Sequence, residues 1–576
     1  MEYILKNSNL DIQDNNILFA LLQSRGINDV MEYINGTQNI LDNMNLLGDT
    51  EIAADFILNG IKSKKKFFLQ VDSDTDGVTS SAILYLYLKA ISDGDINITW
   101  RMHVGKQHGV IPNTVPNDID IVLIPDAGTN QIKEMQELMD RGIQTIIIDH
   151  HLPEGNELPV GCIINTQIGN YPNKSLSGAG VVYKFCHYLD HRLGTNYAIQ
   201  FADLASLGII ADQMDLRSLE TRAIIKLGLK NPNNPALLAL MQKQAYVIKT
   251  LDPKAIGWSI APLINALIRV GTPEQKVTLF EAFIDGNRVV KSTKRGATSD
   301  EVEYLAVQNA RNCINAKSRQ DKKKEDALEA MKITISNNNL DKNRILCITT
   351  SFDDDDSDAV ENNLTGLIAG SLTSLYKLPA LVLRDAGDKW KGSARNVTCS
   401  EFPDFKQFCS DSGLIDMVQG HANAFGFHIK KNKLDDFITY ANEKLANINF
   451  NEGIYEVDFI CKSLTNVNQL IMEIARGSEL WGRGIEEPII VLENVEINQN
   501  AISTMGKNLD TTKIILKNGL DCIKFKDKKL IAQLKTLPDN FTATLVGTAT
   551  INDWMGAQTP QFQIIEIGNI KKNFVF

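Results

Sequence analysis

Three carboxylates stand two residues apart in Asp72-Ser-Asp74-Thr-Asp76-Gly77, directly after the apolar run 67–71. Unpaired anions this close repel strongly, and a turn that keeps three of them together makes sense if a divalent cation binds there. Taken alone, the motif reads equally well as a solvated helix start capped by aspartate. It does not stand alone: Asp126 follows the apolar run 119–124, and Asp149-His150-His151 follows the run 145–148. Acids and imidazoles thus end three successive strand-like runs. Parallel neighbours would bring those ends to one edge, where open α/β sheets bind their ligands. Oxygen-rich sets suit Mg²⁺ or Mn²⁺, and the imidazole favours Mn²⁺ over Ca²⁺. Two ions about 3.5 to 4 Å apart could activate a bridging water and polarise a phosphoryl oxygen, as in-line phosphodiester displacement requires.

These residues need a scaffold. The apolar runs at 67–71, 119–124 and 145–148 alternate with helical patterns at 78–91 and 131–141, which predicts an α/β fold with a parallel sheet covered by helices. Residues 299–331 are charged and helix-prone, with no Gly or Pro. They read as one long helix joining two lobes, or equally as a solvated helix within one lobe. A second, smaller α/β pattern spans 344–429, with strand-like runs at 345–349 and 380–383 around a helical 362–376. After residue 451 come short β-rich segments at 488–495, 513–516, 522–525, 541–549 and 561–567, separated by Gly, Asn and Asp. They predict a small β-barrel.

At 576 residues the chain exceeds what one core fills, and 43% hydrophobic with 22% charged residues is an ordinary globular composition. The net charge of −11 argues against a nonspecific polyanion binder. A local basic channel can still sit on an acidic protein, and cation-binding carboxylates add negative charge themselves. No apolar run approaches the roughly 20 residues that span a bilayer, and residues 1–10 lack a basic segment followed by an apolar core. Secretion and membrane insertion are therefore disfavoured. Eight cysteines (Cys162, Cys186, Cys313, Cys347, Cys399, Cys409, Cys461, Cys522) without a CxxC pair suit buried, reduced thiols and a cytoplasmic location.

The Asp149-His150-His151 triplet, preceded by the Asp72–Asp76 acids and Asp126, resembles the signature of the DHH phosphoesterases. Asn165, then Leu176-Ser-Gly178-Ala179-Gly180-Val181, then Leu204-Ala-Ser-Leu207-Gly208-Ile-Ile-Ala211-Asp212 are similar to motifs of its RecJ-type exonucleases, in the expected order. The resemblance implies a metal-dependent exonuclease that hydrolyses single-stranded DNA from 5′ to 3′, releases 5′-mononucleotides and serves repair or recombination. It implies that Asp74 and Asp126 hold one Mn²⁺ or Mg²⁺ ion and that Asp76, Asp126, His150 and Asp212 hold a second, with Asp126 bridging. His151 would contact the scissile phosphate, and Asp72 completes the implied catalytic set. Related phosphatases often carry a histidine where this chain has Gln70.

The stretch Pro262-Leu-Ile264-Asn265-Ala266-Leu-Ile-Arg269 is similar to a RecJ stretch with a second arginine and a glycine where this chain has Leu263 and Ile268. Gly366-Leu-Ile-Ala369 and Pro379-Ala380 resemble the start of the DHH-associated domain, with Ser371 in place of the usual arginine. Gly392-Ser393-Ala394-Arg395 and Gly420-His421-Ala422-Asn423-Ala424-Phe-Gly426-Phe427 resemble its substrate motifs, with Gln419 where glycine is usual. The implied substrate contacts are Arg269, Ser393, Arg395, Gly420, His421 and Asn423. An arginine beside flexible glycines suits a bidentate grip on a terminal phosphate. Leu480-Trp481-Gly482-Arg483-Gly484, Pro488 and Ile551-Asn-Asp-Trp554-Met-Gly556 resemble the oligonucleotide-binding (OB) barrel of RecJ, where Lys513, Lys517, Lys524, Lys526, Lys528 and Lys529 could meet phosphates.

The expected division is an N-terminal helical segment 1–50, a DHH catalytic domain 51–298, a connecting helix 299–331, a DHH-associated domain 332–450 and an OB-like domain 451–576. The expected partners are single-stranded DNA and single-strand-binding or other repair proteins, with no membrane. Two alternatives compete. A DHH phosphodiesterase for short oligonucleotides or cyclic dinucleotides would have no evident need of the terminal barrel. An inactive scaffold that docks replication or repair proteins would have no reason to retain every implied ligand.

Overall fold

Five strands carry the acid-bearing ends. Strands β1 (Lys66–Val71), β2 (Asn97–Met102), β3 (Ile121–Pro125), β4 (Gln144–Asp149) and β5 (Cys162–Asn165) pair in parallel in the order β2-β1-β3-β4-β5. The computed structural model describes residues 1–7, 10, 16–36, 47–103, 107–245, 248, 251–350, 362–397, 401–450, 454–506, 509–554 and 556–572. Strands β1, β3 and β4 are buried almost throughout, as strands covered on both faces must be. Parallel pairing requires crossovers, supplied in part by α1 (Thr75–Ile91) and α2 (Ile132–Asp140). The strand order reverses between β1 and β3, so the crevice beyond their carboxyl ends is the natural ligand position.

The apolar pattern finds three of these strands. It misses β2, an edge strand interrupted by Asn97, Thr99 and Arg101, and β5, which has only four residues.

Helices α3 (Gly178–Leu193) and α4 (Ala202–Ala211) pack on α1 and on each other, and α5 (Leu219–Lys230) packs on α4. A buried ion pair ties α3 to α5: Lys184 Nζ lies 2.6 Å from Glu220 Oε1. Tyr171 and Asn173 donate further hydrogen bonds to the Glu220 carboxylate, at 2.8 and 2.9 Å.

Contacts divide the chain into two units: Met1–Asn265 with Pro273–Arg311 and Tyr455–Phe576, and Ala266–Thr272 with Asn312–Ile454. In the first unit, the N-terminal helices Ile17–Ser24 and Val30–Asn35 do not stand apart. Their Leu21, Leu22 and Tyr33 share one core with Ile471, Trp481 and Leu545 of the C-terminal region. That region is a seven-stranded sheet of β11 (Phe459–Cys461), β12 (Ile489–Asn498), β13 (Ile502–Met505), β14 (Thr511–Ile515), β15 (Asp521–Lys524), β16 (Asn540–Trp554) and β17 (Ala557–Lys572), in the order β11-β12-β16-β17-β15-β14-β13. All five expected segments are strands, and β11 and β13 add to them. Residue 451, where the β-rich region was expected to begin, and Met555 lie outside the described residues.

The second unit contains most of α6 (Leu305–Asn338). This helix begins later than the expected 299–331, because Val302–Tyr304, with its alternating Val and Tyr, pairs with Val289–Lys291 as a ribbon. It ends later because residues 332–338 offer no Gly or Pro and Ile335 joins Met331 in an apolar core. The unit's sheet is β6 (Leu346–Thr350), β7 (Ala380–Ala386), β8 (Lys389–Arg395), β9 (Met417–His421) and β10 (Ala424–Lys430), in the order β9-β10-β8-β7-β6. Only β6 and β7 are parallel, and α7 (Thr365–Tyr376) packs on β7 and β8.

Among the described residues no helix is long and apolar enough to cross a membrane. The seven described cysteines are buried and unpaired, and Cys399 lies outside the described residues.

Replacing Lys184 with methionine leaves the Glu220 carboxylate buried without its cation. The expected loss is about 3 to 5 kcal/mol, read as a lower urea midpoint for the first unit. A midpoint equal to wild type would show that the neighbouring hydrogen bonds alone hold that carboxylate.

Candidate metal centre

Each acid is fixed by its own local device. Asp74 caps α1 by accepting from the Gly77 amide at 2.8 Å. Asp72 accepts from the Gly109 amide at 2.9 Å and pairs with His108 Nδ1 at 2.7 Å. Asp76 sits on the N-terminus of α3, accepting from Ser177 Oγ at 2.8 Å and from the Gly178 and Ala179 amides at 2.7 and 3.1 Å. Unpaired amides and the helix dipole both favour an anion there. Asp126 leaves β3 in the left-handed region, at φ 62°, a conformation aspartate tolerates better than most residues. Its amide donates to Ile148 O at 2.8 Å, which ties the turn to β4.

The ends of β1, β3, β4 and α4 then converge. His150 Nε2 lies 3.3 Å from Asp126 Oδ1, 3.5 Å from Asp212 Oδ2 and 3.9 Å from Asp76 Oδ2. Among the described residues three overlapping groups result, Asp72–Asp74–Asp126, Asp76–His150–Asp212 and Asp126–Asp149–His150–His151, each with its ligand atoms within 4.8 Å of one another. Asp126 belongs to the first and third and faces the histidine of the second.

Three glycines make this crowding sterically possible. A Cβ on Gly77 would lie 2.6 Å from Asp72 Cβ, one on Gly178 would lie 2.5 Å from Asp126 Cβ, and one on Gly208 would lie 2.3 Å from Asp76 Oδ1. The Ser177-Gly178 and Leu207-Gly208 segments therefore matter because they leave room for carboxylates carried by other elements.

The electrostatics are those of carboxylates buried against one another. Burial, then Asp76, Asp74, Asp72 and Asp212, push the Asp126 carboxyl well above its ordinary range. Desolvation, then Asp76 and Asp74, raise Asp212 to about 8. Desolvation, then Asp72 and Asp76, raise Asp74 to about 6, although its side chain opens to solvent and that shift is the most readily screened. Asp126 Oδ1 is buried and makes no hydrogen bond. An orphaned carboxylate oxygen among acids and one imidazole fits a hard or borderline divalent cation.

Asp149 plays a different part. It accepts from the His150 and His151 amides at 2.7 and 3.2 Å, from the Thr129 amide at 3.0 Å, and pairs with His151 Nδ1 at 2.7 Å. Burial opposes its ionisation, but the His151 contact and the His151 and His150 charges hold it well below the usual carboxylate range. The same contact outweighs desolvation at His151 and raises that imidazole to about 9. With Nδ1 engaged, Nε2 is the His151 atom left for a ligand. Asn165 supports the loop by donating to His151 O at 3.0 Å and to Thr129 Oγ1 at 2.9 Å.

Sequence reasoning missed His103 and His108. They follow β2, the unpredicted edge strand, so the same strand-end rule would have found them had that strand been read. The buried Gln70 amide lies 3.3 Å from His103 Nε2, and that nitrogen lies 3.7 Å from Asp72 Oδ1. An imidazole from the end of β2 therefore stands between Gln70 and Asp72.

In the second unit Arg395 ends β8 and is packed against α7, its Nη1 donating to Ala394 O at 2.7 Å. Burial, then the charge of Arg269, lower its pKa, so two guanidiniums share this region. Ser393 Oγ lies 2.9 Å from Thr365 Oγ1. Gly420, at φ 127°, sits where a Cβ would come within 2.9 Å of Ala424 O, and His421 is exposed beside it. Asn423 is used internally, donating to Pro403 O and accepting from Asn396, both at 2.8 Å.

The departures have plain accounts. Leu263 and Ile268 are buried apolar side chains, and Ser371 Oγ donates to Leu367 O of its own helix at 3.1 Å. In the C-terminal sheet Lys513 pairs with Asp521 at 2.7 Å and Lys517 pairs with Glu496, which partly neutralises the expected basic surface.

Comparison with known proteins agrees with this picture. A family model described as DHH family, N-terminal domain, matches residues 66–209, and one described as RecJ OB domain matches residues 461–566. The SPbeta prophage-derived protein YorK of Bacillus subtilis, whose name assigns it provisionally as a single-strand DNA-specific exonuclease, is 36% identical over 571 residues, covering 97% of each chain. The single-stranded-DNA-specific exonuclease RecJ of the same organism is 26% identical over 532 residues, 89% of this chain and 62% of that protein. Among solved structures, RecJ from Thermus thermophilus in complex with Mn²⁺ shares the fold with a TM-score of 0.70 at 20% identity, over 96% of this chain and 77% of that one.

Gly208→Ala should displace Asp76, since the new methyl would also lie 2.5 Å from Ala179 Cβ. Calorimetric Mn²⁺ affinity should fall at least 10-fold while circular dichroism stays that of wild type. Unchanged affinity would mean that Asp76 is not a ligand or that the helices yield freely.

Proposed function

Because this chain belongs to the RecJ-type exonucleases of the DHH family, we propose that it degrades single-stranded DNA from the 5′ end, releases 5′-mononucleotides, and acts in DNA repair or recombination. The observation that carries the proposal is the convergence of Asp74, Asp76, Asp126, His150 and Asp212 at the switch point of the parallel sheet. Every implied ligand is present, which an inactive scaffold would not require. Two divalent ions are proposed, one held by Asp74 and Asp126, the other by Asp76, Asp126, His150 and Asp212. Bound there, they would supply Lewis-acid polarisation of the phosphodiester and a water acidic enough to attack it.

The remaining work falls to the chain. Asp149 fixes the His151 ring so that Nε2 can contact the scissile phosphate. Asp72, held by His108 and Gly109, is proposed to position the loop that bears Asp74 and Asp76 while keeping acceptor capacity toward the first ion. In the second unit, the paired charges of Arg395 and Arg269 suit a strand phosphate, and Arg395 is the proposed grip on the terminal one. Asn423 is proposed to shape the Gly420–Ala424 hairpin and not to bind substrate directly. The C-terminal sheet is proposed to hold the strand away from the scissile bond, with the exposed Lys528 and Lys529 better placed for phosphates than the paired Lys513 and Lys517. Buried, unpaired cysteines fit a reducing compartment.

Asp126→Asn should remove hydrolysis of an end-labelled single strand by at least 10³-fold with the fold retained, since both proposed ion sites lose the carboxylate they share. A soluble variant with near wild-type turnover would sink the shared-ligand assignment. If digestion starts at an end, a covalently closed single-stranded circle should survive conditions that consume its linear counterpart. Rapid loss of an unnicked circle would overturn the exonuclease reading and leave metal-assisted hydrolysis standing.

A further inference from the structure

Trp258 is 79% exposed, more than any other large apolar side chain among the described residues. A single exposed aromatic ordinarily needs no explanation. The position of this one does. It lies in a π-helical turn, Ile256–Ile260, set between the helical segments Pro253–Ala255 and Ala261–Val270. Such turns are rare and recur at functional sites, because they redirect side chains that a regular helix would place elsewhere.

Both ends of the segment are anchored to the acid cluster. Upstream, Ile256 is buried, and a Cβ on Gly257 would stand 3.5 Å from Ile210 Cγ2, in ordinary contact with α4 just before Asp212. Downstream, Asn265 Oδ1 accepts from the Thr75 amide at 3.2 Å and from Thr75 Oγ1 at 3.0 Å. Thr75 stands between Asp74 and Asp76.

Trp258 is exposed and Pro262 and Asn265 are half-buried, while Ile260, Ala261, Leu263 and Ile264 are buried. Seven residues separate Trp258 from Asn265 along this helical segment, which puts the indole at most about 10 Å along the axis from Asn265, and less through the wider π turn. Stacked nucleotides advance about 3.4 Å each, so this is a distance of about three nucleotides, or fewer in an extended strand. The indole carries no charge, so what it offers a strand is its face, and every base presents a matching one.

We propose that Trp258 is a base-stacking platform for the single strand within about three nucleotides of the scissile bond. The proposal rests on the single-strand exonuclease reading. It adds a contact with a nucleobase to a site whose other groups face phosphates and cations.

The test compares wild type, Trp258→Ala and Trp258→Phe on single strands that carry one abasic site at successive positions from the 5′ end, with Mn²⁺ present. On the unmodified strand Trp258→Ala should raise KM about 10-fold, and Trp258→Phe should recover most of the loss. With the abasic site at the matching position, wild type should fall to the level of Trp258→Ala and the substitution should cost nothing more. If wild type degrades the strands but Trp258→Ala loses nothing, or loses the same factor on every abasic substrate, the stacking role is wrong and the nuclease reading stands. If wild type degrades none of them, both fall together.

Discussion

The structure depends on a repulsion that the protein does not itself relieve. Two unit charges about 4 Å apart interact by about 4 kcal/mol at the effective dielectric of a protein surface. Here Asp76, Asp126 and Asp212 are gathered around His150, and Asp72 and Asp74 join Asp126 beside them. Raised carboxyls at Asp126 and Asp212 and an Asp126 oxygen without a hydrogen bond are what such packing produces. Folding stability elsewhere must hold this cluster together, and a cation is the species that turns the liability into a function.

The scaffold meets that demand through geometry. The reversal of strand order puts the ends of β1 and β3 side by side, and β4 follows as the next neighbour. Asp76 is compensated by the amides at the start of α3, and the same helix start brings Gly178 against Asp126, where only a glycine leaves room. Asp149 accepts from the His150 and His151 amides and pairs with His151 Nδ1, which orients the His151 ring.

Much of this was legible in the sequence because buried parallel strands leave long apolar runs and acids placed after them are conspicuous. Asp74, Asp76, Asp126 and His150 emerge from that pattern, and Asp212 from its motif. His103 and His108 did not emerge, since the edge strand before them alternates polar and apolar residues and reads as a loop. The roles of Gly178 and Gly208 were also hidden, because the carboxylates they accommodate are remote in sequence. The helix from Leu305 to Asn338 was legible in kind but not in extent, as charged helical stretches carry no clear stop signal. The merging of the N-terminal helices with the C-terminal core could not be read at all, because Leu21, Leu22 and Tyr33 show an apolar face without showing what covers it.

The central claim is that divalent cations complete this cluster, and titration of metal-free protein with Mn²⁺ tests it most directly. The account predicts saturable binding of two equivalents and a rise in the thermal midpoint of the first unit that follows the occupancy. Absence of binding heat together with a thermal midpoint unmoved by Mn²⁺ or Mg²⁺ would contradict it.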